Sequence, residues 1–332
     1  MSFDRSSVLG IDVGGTKILV GSVRLDGTVV AARRYPMDRR DRAHTLASIL
    51  GAVEAYWSER RVDTPPAAIG VGLVGLTDPP NGLWLHSMSL HVDRPIDFRL
   101  DLGARYGLPV AVDNDVHAAT LAELRFGVGR DVRDFIYLNV GTGLAGGVVC
   151  NGQLVRGVLN YAGELGHSLL GDSDDLCPCG RRGCVEMYAS GGAIADHAQR
   201  AVERGRQTSL APIAASGRLT SADVFRAAGT GDALALEIAE RALRGVGDLL
   251  VNLVNLLNPA AVVLGGGVVS DGWLAPRLDA YVRRVALTNA TRCLREIAPS
   301  SLPTDQVGLL GAATLAMEAM QASAKSRTEG SS

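Results

Sequence analysis

The chain has 332 residues, of which 47% are hydrophobic and 40 are glycine, with a formal net charge of −2 at pH 7; that is length and apolar content for two packed α/β domains. The balance excludes a disordered chain, and with no long basic run it argues against a nucleic-acid or anionic-membrane surface. No charged-then-apolar leader opens the sequence, and its most apolar stretch, near Leu249–Val269, is broken by Asn252, Asn255 and Asn258-Pro259, so a cytoplasmic protein is expected.

Residues 7–13, SVLGIDV, form an apolar run with Asp12 near its end. GGTK follows, then the alternating run Ile18–Val23 and an Asp26-Gly27 turn, which predicts a hairpin with glycines at its mouth. Gly14, Gly15 and Thr16 can present backbone amides to a phosphate, and Asp12 can hold hydrated Mg2+. A plain tight hairpin fits the same residues. The P-loop pattern does not, because strand rather than helix follows Lys17. A helix is expected over 42–60, a buried strand over 67–74 and a loop over the proline- and glycine-rich 75–82. A helix at 99–106 and a strand at 108–112 lead into Asp113-Asn114-Asp115 and a helix over 116–126. Asp113 or Asp115 can cap that helix. Alternatively, a carboxylate at the carboxyl end of a strand in an open α/β sheet lies in the usual ligand crevice, where it can take a proton from a substrate hydroxyl.

A strand at 135–138, the run NVGTGLAGGVV and an Asn151-Gly152 turn repeat the layout of 8–27, which suggests two similar halves facing one another across a cleft. Cys177, Cys179 and Cys184 then stand in C-x-C-x4-C spacing with His167 upstream, a closed tetrahedral zinc set. The remaining cysteines, Cys150 and Cys293, make no disulfide framework. Three thiolates and an imidazole leave no open position for an activated water, so the metal is expected as a structural staple and a zinc hydrolase is discounted. Fixing His167 also fixes Glu164, and fixing Cys184 fixes Glu186. These two carboxylates are either acceptors for a polyhydroxyl ligand or solvated surface acids. Helices are expected at 190–204, 220–228 and 231–257. A strand at 260–264 meets Gly265-Gly266-Gly267, which can admit a flat adenine or serve close packing. A helix near 272–285, a strand near 293–298, a helix from Gly308 to Met320 and a frayed small-residue tail complete the chain.

The ordered set IDVGGTK, DND, NVGTGLAGG, GELGH, CPCGRRGCVE and LGGG resembles the ROK sugar kinases and their relatives over nearly the whole chain. That resemblance implies two actin-like (ribonuclease H-like) α/β domains facing across a central cleft, with a zinc-stapled loop. A small domain would span 1–117 and a large one 118–305; a helix at about 306–321 would pack back on the first, and 322–332 would be a disordered tail. The activity implied is transfer of the γ-phosphoryl group of ATP to a hydroxyl of a hexose or hexose-like substrate, with Asp115 as general base. By the same resemblance Asp12, Gly14, Gly15, Thr16 and Lys17 form the first phosphate element and Gly141, Thr142 and Gly143, with Gly146, the second. Gly265, Gly266 and Gly267 match the adenosine-side loop. Asn114, Asp115, Glu164, His167 and Glu186, with Gly75 and Ser89, would meet the sugar, while His167, Cys177, Cys179 and Cys184 bind zinc. ATP, Mg2+ and structural Zn2+ are the implied cofactors, a small sugar the partner and a homodimer the assembly.

Two departures bear on the substrate. Val74-Gly75 stands where the family commonly has Pro-Gly, and Met88-Ser89-Leu90 where it often has Pro-Asn-Leu, whose asparagine usually touches the sugar. The shorter Ser89 hydroxyl satisfies different substituents, and buried unpaired polar groups penalise the wrong ligand. An amino sugar, an N-acetylated hexose or a cyclitol is therefore weighed beside glucose, and polyphosphate beside ATP. The family's repressors carry a DNA-reading module ahead of this fold. A first strand at about residue 7 and no basic patch argue against one here. A sugar sensor that binds without phosphorylating is the remaining alternative, although its expected mark, loss of the base or of a phosphate turn, is missing.

Overall fold

The apolar run at residue 7 forms β1, Ser7–Val13, which pairs antiparallel with β2, Lys17–Arg24, and this with β3, Val29–Pro36. In this computed structural model residues 7–59, 65–171, 175–270 and 272–329 are described, 325–329 as backbone only. The chain goes on through α1, Arg42–Glu59, to β4, Ile69–Leu73. Segment 75–82, expected as a loop, instead carries β5, Leu76–Asp78, and a 3-10 turn, Pro79–Asn81. With β6, Leu83–His86, and β7, Ile96–Asp97, it makes a small antiparallel sheet. Strands this short show no period, and Pro79-Pro80 with Asn81-Gly82 masks them as turn residues. A π-type helix, Arg99–Ala104, precedes β8, Val110–Asn114, and α2, Asp115–Phe126. Both β4 and β8 run parallel to β1, giving the order β3-β2-β1-β4-β8.

The second half repeats this order. Antiparallel β9, Phe135–Val140, β10, Leu144–Cys150, and β11, Gln153–Leu154, are followed by α3, Glu186–Ala189, α4, Gly191–Glu203, α5, Ala211–Ser216, α6, Ser221–Gly229, and α7, Ala233–Leu257. Then come β12, Ala261–Gly265, α8, Leu274–Val285, α9, Thr288–Thr291, and β13, Glu296–Pro299. The order is β11-β10-β9-β12-β13, with β12 and β13 parallel to β9. Asp232 caps α7 by accepting from Ala235 N–H, and the helix buries a stripe including Ile238, Ala242, Val246 and Leu250, the i, i+4 rows of a core-facing helix.

The last helix, α10, runs Val307–Glu329 and lies against β1, β4 and α2. A side chain at Gly70 would sit 1.8 Å from the Ala312 carbonyl oxygen, so the helix approaches the sheet only because β4 has glycine there. The helix continues through most of the segment expected as a tail. Residues 319–329 hold alanine and other helix-compatible residues with neither glycine nor proline before Gly330, so nothing local stops it. Two units result: Met1–Arg130, Arg156–Ala162 and Leu302–Ser332 in the first, Asp131–Val155 and Gly163–Ser301 in the second.

Candidate active site

In the first unit the β1–β2 turn is closed by Gly14 N–H donating to the Lys17 carbonyl at 3.0 Å. Thr16 and Lys17 are exposed, and a side chain at Gly15 would meet nothing within 4 Å, so the turn is open to a ligand. Asp12 is the last polar side chain of β1. Burial pushes its carboxyl up to about 6, against the opposing pull of Lys17. Gly308, in the first turn of α10, is forced by this carboxylate, since a Cβ there would lie 2.4 Å from Asp12 Oδ2. Sequence reading missed that contact.

Asp115 opens α2 at the end of β8. It keeps partial solvent access, yet desolvation raises its carboxyl to about 7, and the Asp12 charge pushes it further the same way. The N-cap of α2 is Asn114, not Asp113 or Asp115: its Oδ1 accepts from Val116 N–H at 2.9 Å and His117 N–H at 3.3 Å. Its Nδ2 donates to the Gly75 carbonyl at 3.0 Å, so most of its amide is already engaged. Gly75 holds φ 106, a conformation that favours glycine. Ser89 is exposed, 3.4 Å from Ser87 Oγ, and borders a cavity of about 700 Å3 with Met88, His91, Arg39 and Arg40.

In the second unit His167, Cys177, Cys179 and Cys184 come together with all ligand atoms within 4.8 Å of one another. His167 Nδ1 lies 3.6 Å from Cys177 Sγ, and Cys179 Sγ 3.6 Å from Cys184 Sγ. A tetrahedron with Zn–S bonds of about 2.3 Å has S···S edges of about 3.8 Å, whereas a disulfide needs about 2.05 Å. The donor set therefore fits zinc. His167 Nε2 faces Glu164 Oε2 at 3.8 Å, the arrangement in which a carboxylate orients a metal-bound imidazole. Glu164 is otherwise exposed.

Glu186, two residues beyond Cys184, reaches the β9–β10 turn and accepts from Leu144 N–H at 2.8 Å. Gly191 and Gly192, which sequence reading did not single out, donate to the Gly141 and Thr142 carbonyls at 2.7 and 3.2 Å. Thr142, Glu186, Ser190 and Gly192 line a cavity of about 1000 Å3. Within the Gly265–Gly267 loop two glycines answer to packing. A Cβ at Gly265 would strike the Tyr137 hydroxyl at 2.0 Å, and Gly266, at φ 88, faces the Val140 carbonyl. Only Gly267 would meet nothing within 4 Å.

A further cluster at the DND segment was also unforeseen. Asp113 is fully buried and takes hydrogen bonds from Asn160 Nδ2 at 2.8 Å and from Arg156.

The ROK family matches residues 8–319. A glucokinase from Streptomyces coelicolor is 32% identical over 321 residues, 93% of this chain and 97% of that protein. An N-acetylmannosamine kinase from Vibrio vulnificus is 33% identical over 84% of this chain and 89% of its own length. Among solved structures, a Streptomyces griseus ROK glucokinase in complex with glucose and AMPPNP aligns with TM-score 0.75 and 30% identity, over 94% of this chain and 99% of that one. A ROK-family transcriptional regulator aligns with TM-score 0.84 and 26% identity over 95% of this chain and 78% of its own. Among the described residues no helix is long and apolar enough to cross a membrane.

Proposed function

This chain belongs to the ROK family, and from that premise we propose that it is a sugar phosphotransferase that moves the γ-phosphoryl group of ATP to a hydroxyl of a hexose or hexose-like substrate. The feature that carries this reading is Asp115, which opens α2 directly after the parallel strand β8 and feels the charge of Asp12, two residues before the Gly14–Lys17 turn; burial raises its carboxyl to about 7. A general base works best with a pKa near the operating pH. Asp115 accepts the hydroxyl proton as the oxygen attacks phosphorus and the bond to the ADP oxygen breaks. Transfer of this kind passes through a loose transition state, so the remaining task is alignment and charge neutralisation. Backbone amides at Gly14–Lys17 and Gly141–Gly143 suit the phosphates, and Gly267 leaves room for the nucleoside. Asp12 would hold Mg2+, which when bound with ATP supplies charge neutralisation. Zinc on His167, Cys177, Cys179 and Cys184 would be structural.

For the sugar, Asn114, Glu164, His167 and Glu186 are the proposed contacts. Because Ser89 stands where the family often has an asparagine, an amino sugar, an N-acetylated hexose or a cyclitol is proposed beside glucose as the acceptor. ADP release from Mg-ATP over hexoses, amino sugars, N-acetylhexosamines and cyclitols, with Asp115→Asn as control, tests the proposal. One sugar turned over by the parent protein and not by the variant supports it. Sugar binding with no ADP release from ATP, and no sugar phosphate when polyphosphate replaces ATP, selects instead a sugar sensor, the second reading, to which the likeness to the regulator lends support.

A further inference from the structure

Asp113 sits one residue before the α2 cap and two before the proposed base. Its carboxylate has four donors: Asn114 N–H and Asn160 Nδ2 at 2.8 Å each, His117 Nδ1 at 3.3 Å, and the Arg156 guanidinium. Burial by itself would raise this carboxyl, but the His117 hydrogen bond and the Arg156 charge outweigh it and hold Asp113 below the ordinary carboxylate range. An ionised carboxylate with no exposed surface is tolerated only when every lone pair is directed, and directing them fixes what carries the donors. We infer that Asp113, Arg156, Asn160 and His117 form a positioning cluster for the β8–α2 junction, and through it for the Asp115 base; this rests on the kinase reading above.

The cluster grips the junction from both sides. Asp113 holds the peptide N–H of Asn114, and Asn114 in turn caps α2 and ties Gly75. His117, one helical turn on, bonds back to Asp113 and reaches the Ala162 carbonyl through Nε2 at 2.8 Å. Both ring nitrogens of His117 are thus engaged, one at each end of the junction. Asp115 lies between these anchored residues. Arg156 and Asn160 come from the segment Arg156–Ala162, which belongs to the first unit although its chain neighbours on either side belong to the second. Asn160 adopts φ 57, rare for a non-glycine residue, and spans Asp113 Oδ1 and Thr77 Oγ1, the latter at 3.0 Å.

Asn160→Ala tests this without stranding a charge, since Arg156 still faces Asp113. Arg156→Met would leave a buried carboxylate unpaired and can fail to fold, so Asn160→Ala carries the test and Arg156→Lys serves as the conservative comparison. Asn160→Ala is expected to lower kcat about tenfold with the KM for Mg-ATP unchanged, and to shift Tm by no more than about 2–4 °C. Placed in the Asp115→Asn protein, it should lower the residual rate no further, because both changes act on one group. Amide exchange across 113–117 should speed up about tenfold or more. An equal loss in the Asp115→Asn background, or unchanged exchange at 113–117, overturns the assignment. Exchange needs no turnover, so a chain that phosphorylates no sugar fails the kinase reading while still reporting whether Asn160 holds the junction.

Discussion

The two units build one hairpin twice and furnish it differently. In β1–β2 the sequence Asp12-Val13-Gly14-Gly15-Thr16-Lys17 carries an acid before the turn and a cation after it; in β9–β10 Asn139-Val140-Gly141-Thr142-Gly143-Leu144 is neutral throughout. The first turn leaves Thr16 and Lys17 exposed; Gly14 N–H bonds the Lys17 carbonyl, and Met37 N–H, from just beyond β3, bonds the Thr16 carbonyl at 3.2 Å. The second is gripped from outside, by Glu186 on Leu144 and by the start of α4 on Gly141 and Thr142. Strand order alone would make the two turns equivalent phosphate holders. The difference puts a buried, proton-holding acid beside the first turn and ties the second to the segment that carries the Cys/His cluster.

Breaking the charged side should have the largest effect. Asp115→Asn removes the proposed base and is expected to lower kcat by about 10²–10⁴-fold, with Mg-ATP affinity nearly unchanged, as read by ADP release and nucleotide titration. Comparable loss of nucleotide affinity would mean the residue binds phosphate instead.

Stripping the metal attacks the other side. If zinc on the Cys/His cluster fixes Glu164 and Glu186 through His167 and Cys184, as proposed, removing it should lower sugar affinity by about tenfold or more, the order that loss of supporting groups around a metal site costs in activity. Calorimetry on protein whose zinc content is measured checks this; full sugar affinity in verified zinc-free protein refutes it. Glu186→Ala should reproduce part of the loss by freeing the Leu144 N–H, while Glu186→Gln, which keeps an acceptor, should cost less.

Both hairpins and the clustering of His167 with the three cysteines were legible in the sequence, because each is written in residues close along the chain: glycines between apolar runs, or C-x-C-x4-C. What was illegible depends on partners far apart. Nothing near Asp113 announces Arg156 or Asn160, and nothing near Asp12 announces Gly308; only the folded chain brings them together. The sheet β5-β6-β7 escaped for the opposite reason, since Pro79-Pro80 and Asn81-Gly82 are strong local signals that name the turn and hide the short strands β5 and β6 on either side of it.

The smallest effect sharpens the comparison most, because it is read as a function of pH. Asp115 is raised to about 7 and Asp12 to about 6, each from 3.8, with burial the first cause for both. The folded state therefore holds protons that the unfolded chain has already released between about pH 4 and 7, so stability falls as pH rises through that window. The Asp12 charge adds to the Asp115 shift, so the two changes are linked. Asp115→Asn, neutral at every pH, should raise Tm at pH 8 and leave it unchanged near pH 4. Asp12→Asn should remove the second cause of the Asp115 shift, so the acid limb of kcat/KM moves to lower pH. No charged pair exists in the second hairpin, so Asn139→Ala should leave the pH dependence of Tm alone. Thermal melts of the three variants from pH 4 to 8 decide it: a slope that survives Asp115→Asn intact would place the pH-sensitive charge elsewhere in the fold.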